Sequence, residues 1–140
     1  MKKENPIPQG KYIPAKRIGD MIYTAGMTPR DKGVLIKTGK VMINDPIEDY
    51  KECVTLAASN ALTAAENTIN DGESLEVLSI YVFVNAERGF TKHAKIGDFV
   101  SDYLYENLKE RGIASRAAVG VESLPGDAPV EVQLVLAVVK

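Results

Sequence analysis

A single histidine, His93, and a single cysteine, Cys53, occur in 140 residues, and several kinds of chemistry fall away with that scarcity. One histidine cannot build a His-based metal cluster or a metalloprotease motif, and a Ser-His-Asp triad would have to use this one residue. One cysteine has no partner for a disulfide and suits a reducing compartment. There is no basic excess: 17 Lys and Arg stand against 19 Asp and Glu, for a formal charge of −2 and a pI near 5.5. Holding a phosphate backbone needs such an excess, so nucleic acid is not an expected partner. The longest apolar stretches, 134–139 among them, are far shorter than a membrane span. Met1-Lys2-Lys3 runs into Glu4, Asn5 and Pro6 rather than an apolar signal region. A cytoplasmic protein without membrane contact is expected. No GxGxxG or Walker-type loop occurs and the acidic residues form no Ca²⁺ loop, so neither a cofactor nor a metal is expected.

The remaining composition is that of an ordinary globular protein, 45% apolar and 26% charged, and the length fits one domain over 1–140. Residues 1–9, with two prolines and three charges, read as a surface arm without chemistry of their own. Two β-forming runs, 12–18 and 21–25, flank Gly19-Asp20, a pair suited to a tight hairpin. Val34-Leu35-Ile36 and Val41-Met42-Ile43 predict a third short strand or a second small hairpin. Asp45-Pro46, with Glu48 three residues after Asp45, resembles a capping box and predicts the start of a long helix. Its stripe of Ile47, Tyr50, Val54, Ala57, Ala61, Ala64, Ala65 and Ile69 ends at Asp71-Gly72, and its alanines suggest close packing on a sheet. The run 77–84 reads as a strand buried on both faces, 90–108 as a second helix, and 115–121 and 130–139 as two final strands. The order predicts an α+β protein with about six strands and two helices on one face of the sheet. In the last strand Val130, Val132, Leu134, Leu136 and Val138 fill one face, yet Val135, Ala137 and Val139 make the other apolar as well. Helices can cover only one of these faces, so the other is expected to meet a second copy of the chain.

Among residues that could carry chemistry, His93 reads as a solvated helix-face side chain and Cys53 as a small buried hydrophobe. Arg116 is different, since it lies among small and apolar residues on a strand. It must reach solvent, pair with a carboxylate, or face a cleft where an anion can use its fork of donors. Glu131, on what reads as the following antiparallel strand, is the neighbour that would make the pair a structural salt bridge.

The segment from Ser115-Arg116-Ala117-Ala118 through Leu124-Pro125-Gly126 to Val130-Glu131-Val132 resembles the C-terminal signature of the Rid/YjgF family. Gly10-Lys11-Tyr12-Ile13-Pro14-Ala15 and Ile22-Tyr23-Thr24-Ala25-Gly26-Met27 resemble that family's opening strands. The resemblance spans nearly the whole chain. It implies a chorismate-mutase-like fold, a homotrimer whose sheets form a central barrel, and three clefts between subunits, each taking a small carboxylate-bearing metabolite. In the deaminating members the arginine binds the carboxylate of a 2-imino or 2-enamino acid, which water hydrolyses to the keto acid and ammonia. By that resemblance Arg116 and Glu131 are the catalytic candidates, with Tyr12, Ala25, Gly26, Phe90 and Ala118 lining the substrate. Where deaminating members usually carry a serine, an asparagine and often a cysteine, this chain has Ala25, Ala94 and Ala118. Those losses predict weak orientation of substrate and water. Ala114-Ser115-Arg116-Ala117-Ala118-Val119-Gly120-Val121, Tyr12-Ile13-Pro14-Ala15 and Ser101-Asp102 resemble a divergent branch, for which a metabolite-binding or regulatory trimer without turnover is the alternative. A chorismate mutase would need several cations around a dianion, and an endoribonuclease a phosphate-binding surface and an acid/base pair of histidines. A chaperone-like assembly would leave Arg116 with only a structural role.

Overall fold

A computed structural model describes residues 3–140; of the expected surface arm, residues 1 and 2 lie outside the described residues. Strands β1 (Ala15–Ile18) and β2 (Met21–Thr24) form the opening hairpin about Gly19-Asp20. β3 (Arg30–Asp31) and β4 (Val34–Leu35) follow, then α1 (Lys51–Glu66), β5 (Ser74–Asn85), α2 (His93–Leu108), β6 (Ser115–Val121) and β7 (Val130–Val139). The architecture is α+β, with one mixed five-stranded sheet in the order β1-β2-β7-β5-β6. Only β5 and β6 run parallel, because α2 carries the chain back across the sheet between them.

The expected count of about six strands is reduced to five by the region after β2. Val34–Leu35 does not join the main sheet but pairs with Arg30–Asp31 in a separate two-stranded ribbon. Val41-Met42-Ile43 forms no strand, since Val41 alone makes a parallel bridge to Ala86. Further differences follow from local competition. The capping box is absent, because a 3₁₀ turn over Ile47–Tyr50 precedes α1 and Asp45 instead accepts a hydrogen bond of 2.6 Å from the buried Tyr50 hydroxyl. Burial, and then this bond, push the Tyr50 phenol up to about 12. α1 stops at Glu66 rather than at Asp71-Gly72, and α2 starts at His93 rather than at Phe90.

Ala57, Ala58, Ala61, Ala64 and Ala65 are all buried on α1, which lets the helix lie close over β7. The core beneath it is Val130, Val132, Leu134, Leu136 and Val138 of β7, with Ile80, Val82 and Val84 of β5. Burying each such side chain contributes about 1.5–3 kcal/mol. Both helices occupy this face. β5 is therefore buried on one face within the chain and not on both, alternating in accessibility along its length. The opposite face is uncovered within the chain and is largely apolar: Tyr23 is 54% exposed, Tyr81 38% and Val119 45%, with Phe83, Val135, Ala137 and Val139 half-buried around them. No helix among the described residues is long and apolar enough to cross a membrane.

The arm is less detached than its composition suggests. Asn67, after the end of α1, donates 2.8 Å hydrogen bonds to the Lys3 carbonyl and the Asn5 side chain. Close by, Arg17 donates to both carboxylate oxygens of Glu73 at 2.7 and 2.8 Å, tying the opening hairpin to the start of β5. This partner holds the Glu73 carboxyl down at about 2.

Candidate functional site

A β-bulge prepares the first part of the site. Tyr23 pairs with Val135 and Met27 with Val132, so the β2 side carries one residue more than the β7 side in the stretch between them. The Leu134 N–H, which the bulge leaves without a backbone carbonyl, donates to Thr24 Oγ1 at 3.0 Å. Ala25 and Gly26 thereby border the space into which the Glu131 side chain of β7 reaches. A Cβ at Gly26 would overlap the Glu131 carboxylate, so the glycine is what lets the acid lie against the bulge. Tyr12, between the arm and β1, reaches the same place, its hydroxyl accepting a 2.9 Å hydrogen bond from the Gln9 N–H. These residues, with Arg30 and Pro125, line a cleft of about 340 Å³.

Glu131 sits on the open face of β7, paired in register with Phe83. Among the described residues its carboxylate has no hydrogen bond and no ion pair. Desolvation alone pushes its carboxyl above the ordinary value. A half-buried acid of this kind is a stronger proton acceptor than a free glutamate and has no partner occupying it.

Arg116 belongs to a different surface. It pairs in register with Ile80 and faces the helix side at the sheet's outer strand. Its Nη1 donates to Asp98 Oδ1 at 3.0 Å and to Ser101 Oγ at 2.9 Å, and its Nη2 to the Ala94 carbonyl at 3.2 Å. Ala94, Gly97, Asp98 and Ser101 are spaced three and four apart, so they share one face of α2. A Cβ at Gly97 would stand 2.9 Å from Arg116 Cζ, so the guanidinium lies directly against the helix there. Ala118 is the next residue on the same face of β6, half-buried against the core. Beyond it, His93 leaves no room for a side chain at Gly120 and meets Phe90 edge-on, with ring centroids 5.2 Å apart. His93 is thus half-buried against β6, not a solvated helix-face residue.

The sequence-derived site therefore falls into two groups on one chain. Tyr12, Ala25, Gly26 and Glu131 come together; Arg116, Ala118 and Phe90 lie along α2 and β6. The expected Arg116 to Glu131 salt bridge is not formed. β6 and β7 are not neighbours, because β5 runs between them, and the two side chains leave opposite faces of the sheet. Sequence reasoning passed over Asp98, whose i, i+3 spacing to Ser101 was the available signal, and Arg30, for which no motif spoke. It also passed over Asn85, which is buried and donates to the Ala128 carbonyl at 3.0 Å and to Asp127 at 3.2 Å while accepting 2.9 Å from Lys40. That network holds the loop carrying Pro125 against the cleft. Cys53 is buried, donates to the Tyr50 carbonyl at 3.3 Å and is pushed up to about 11 by burial, which leaves it unreactive.

Residues 2–139 match the family model for endoribonuclease L-PSP. The chain belongs to this family, that of the Rid and YjgF proteins. A RutC family protein of Pyrococcus horikoshii is 28% identical over 93% of this chain and 89% of its own length. A 2-iminobutanoate/2-iminopropanoate deaminase of Dermatophagoides farinae is 23% identical over 95% and 90%. The crystal structure of an Agrobacterium tumefaciens protein of unknown function superposes with a TM-score of 0.83 at 27% identity, covering 96% of this chain and 87% of that one. The YjgF gene product of E. coli superposes with a TM-score of 0.65 at 20% identity over 97% and 94%, which shows that this Rid/YjgF member shares its fold.

Proposed function

We propose that the protein is a cytoplasmic homotrimer in which two chains build each site, Tyr12, Gly26 and Glu131 from one and Arg116 from its neighbour. The site binds a small carboxylate and slowly hydrolyses 2-imino or 2-enamino acids to 2-keto acids and ammonia. The observation that carries this reading is the separation of the two groups: a carboxylate without a partner opens on an uncovered apolar sheet face, and the arginine sits on the outer strand of the same sheet. Closing such faces around an axis would remove the apolar surface from water and bring an outer strand to a neighbour's cleft. The deaminase relative supports the chemistry.

In this reaction Arg116 holds the substrate carboxylate and so fixes the imine carbon. Glu131 takes a proton from water as its oxygen bonds to the carbon of the protonated imine, giving a carbinolamine. The acid returns that proton to nitrogen and accepts the hydroxyl proton as the C–N bond breaks, so ammonia leaves and the carbonyl forms. A second reading, binding without turnover, is favoured by one specific feature: Ala25, Ala94 and Ala118 offer no polar side chain where an attacking water would need orienting.

Mixing chains tests the shared site. Light scattering should give a trimer mass for wild type, Arg116→Ala and Glu131→Gln. Each variant alone should hydrolyse 2-iminobutanoate generated in situ far more slowly than wild type. Trimers refolded from an equal mixture of the two should recover about a quarter of the wild-type sites, since one chain then supplies the arginine and its neighbour the acid. No recovery in mixed trimers, or a stable wild-type monomer with full activity, would defeat the two-chain site.

A further inference from the structure

We propose that Arg30 is a second anion-recognising group of the Glu131 cleft, so that the preferred ligand carries a further anionic group besides the carboxylate assigned to Arg116. The inference rests on the two-chain site and names its ligand class. Three half-buried arginines occur among the described residues, and two of them have carboxylate partners, Arg17 with Glu73 and Arg116 with Asp98. Arg30 has none. Its Nη1 donates to the Gly33 carbonyl at 2.8 Å, while its Nε is enclosed and has no partner among the described residues. A guanidinium partly withdrawn from water without a counter-charge is costly, and with Nη1 on a carbonyl and Nε enclosed, Nη2 is the donor left to meet an anion.

The surroundings hold this group in place. Asn60 of α1 donates to the Thr28 and Arg30 carbonyls at 3.2 and 3.0 Å, so the backbone carrying Arg30 is anchored to the helix. On the far side the loop before β7 closes on the guanidinium, and a Cβ at Gly126 would come within 2.9 Å of Nη2. Two clefts of about 340 Å³ each adjoin here, one reaching Glu131 and the other running under the arm, and Tyr12, Gly26 and Arg30 line both. Arg30 therefore stands at the inner junction, with Glu131 in one limb. It forms no ion pair with Glu131, which leaves the acid for water and the guanidinium for the ligand. A 2-oxo dicarboxylate fits this chemistry, one carboxylate for each arginine with the carbonyl carbon beside Glu131.

Calorimetric titration of the assembled protein with 2-oxobutanoate, a monoanion, and 2-oxoglutarate, a dianion, tests the assignment. Wild type should bind the dianion about 10-fold more tightly. Arg30→Gln should abolish that preference, with the larger loss of affinity falling on the dianion. Arg30→Lys, which keeps the charge but loses the fork, should retain part of the preference, and it serves equally if the glutamine variant does not fold. Equal weakening of both ligands in the lysine variant would mean that Arg30 only supports the β3–β4 turn. A wild type with no preference for the dianion would overturn the inference as well. Failure of the underlying reading looks different: Arg116→Ala would then leave the affinity for 2-oxobutanoate unchanged.

Discussion

Arg116 and Glu131 stand on strands separated by one other strand, yet one is partnered within its own chain and the other is bare. Arg116 has Asp98, Ser101 and the Ala94 carbonyl around it, all from one face of α2. Glu131 has a glycine beneath it, a bulge beside it and no polar partner among the described residues. Local sequence explains the contrast. A helix offers side chains at three- and four-residue steps, so a strand packed under it can have its charge met from a short stretch of sequence. A bulge shortens the reach of the adjoining backbone without supplying a side chain. What an acid in that position needs must come from a ligand, from water or from another chain.

The largest expected effects follow from removing each member in turn. Glu131→Gln should reduce hydrolysis of 2-iminobutanoate about 10²-fold or more while leaving 2-oxobutanoate binding nearly unchanged, because the amide can accept a hydrogen bond but not a proton. Arg116→Ala should weaken 2-oxobutanoate binding by about 2 kcal/mol, read by calorimetry, since the ligand carboxylate then enters without its charged partner. If both variants lost binding and turnover in equal measure, the division of labour between the two groups would be wrong.

How much of this was legible beforehand differs between the same two regions. β6 and β7 have the bounds expected from their residues, since a glycine- and proline-containing turn separates two β-forming runs. The relation between them was not legible. Sequence order placed them side by side, and only the insertion of β5, a pairing across about 50 residues of chain, sends Arg116 and Glu131 to opposite faces. The bulge at Ala25 and Gly26 was equally hidden, because the extra residue shows only when the partner strand is known. Asp45 illustrates the reverse failure: its capping pattern was clear, but a buried tyrosine hydroxyl five residues later offered its oxygen a better use. Ala25 and Ala94, which looked like two losses from one pocket, belong to different groups, Ala25 to the Glu131 cleft and Ala94 to the helix face that holds Arg116.

A smaller effect should follow from freeing Arg116. Asp98 is more than half exposed and competes with an incoming carboxylate for the same Nη1. An exposed pair of this kind is worth about 1 kcal/mol at most, so Asp98→Asn should tighten 2-oxobutanoate binding only a few-fold, with the gain fading as salt is raised. A loss of affinity would show instead that Asp98 positions the guanidinium for the ligand and does not compete with it.

The smallest effect is in stability, and its sign separates Glu131 from the molecule's other half-buried glutamate with a shifted carboxyl. Glu73, beside Arg17, is held down at about 2 in the folded chain, so its contribution is present above its unfolded value and is lost as pH falls towards about 2. Glu131 is raised by desolvation, so folding favours its protonated form. Its stabilising contribution is present below the unfolded value and is lost as pH rises through the folded one. In the proposed assembly the neighbour's Arg116 would arrive already paired with Asp98, which would leave little net charge to reverse that shift. Denaturant unfolding followed from pH 3 to pH 7 should therefore show Glu73→Gln falling progressively below wild type as pH rises. Glu131→Gln should instead rise slightly above wild type over the same range, because the variant no longer has to keep a charge in a partly desolvated cleft. A Glu131→Gln curve that falls below wild type at neutral pH would mean that a cation does reach this carboxylate in the ligand-free assembly, and the bare half of the comparison would then be bare only in the single chain.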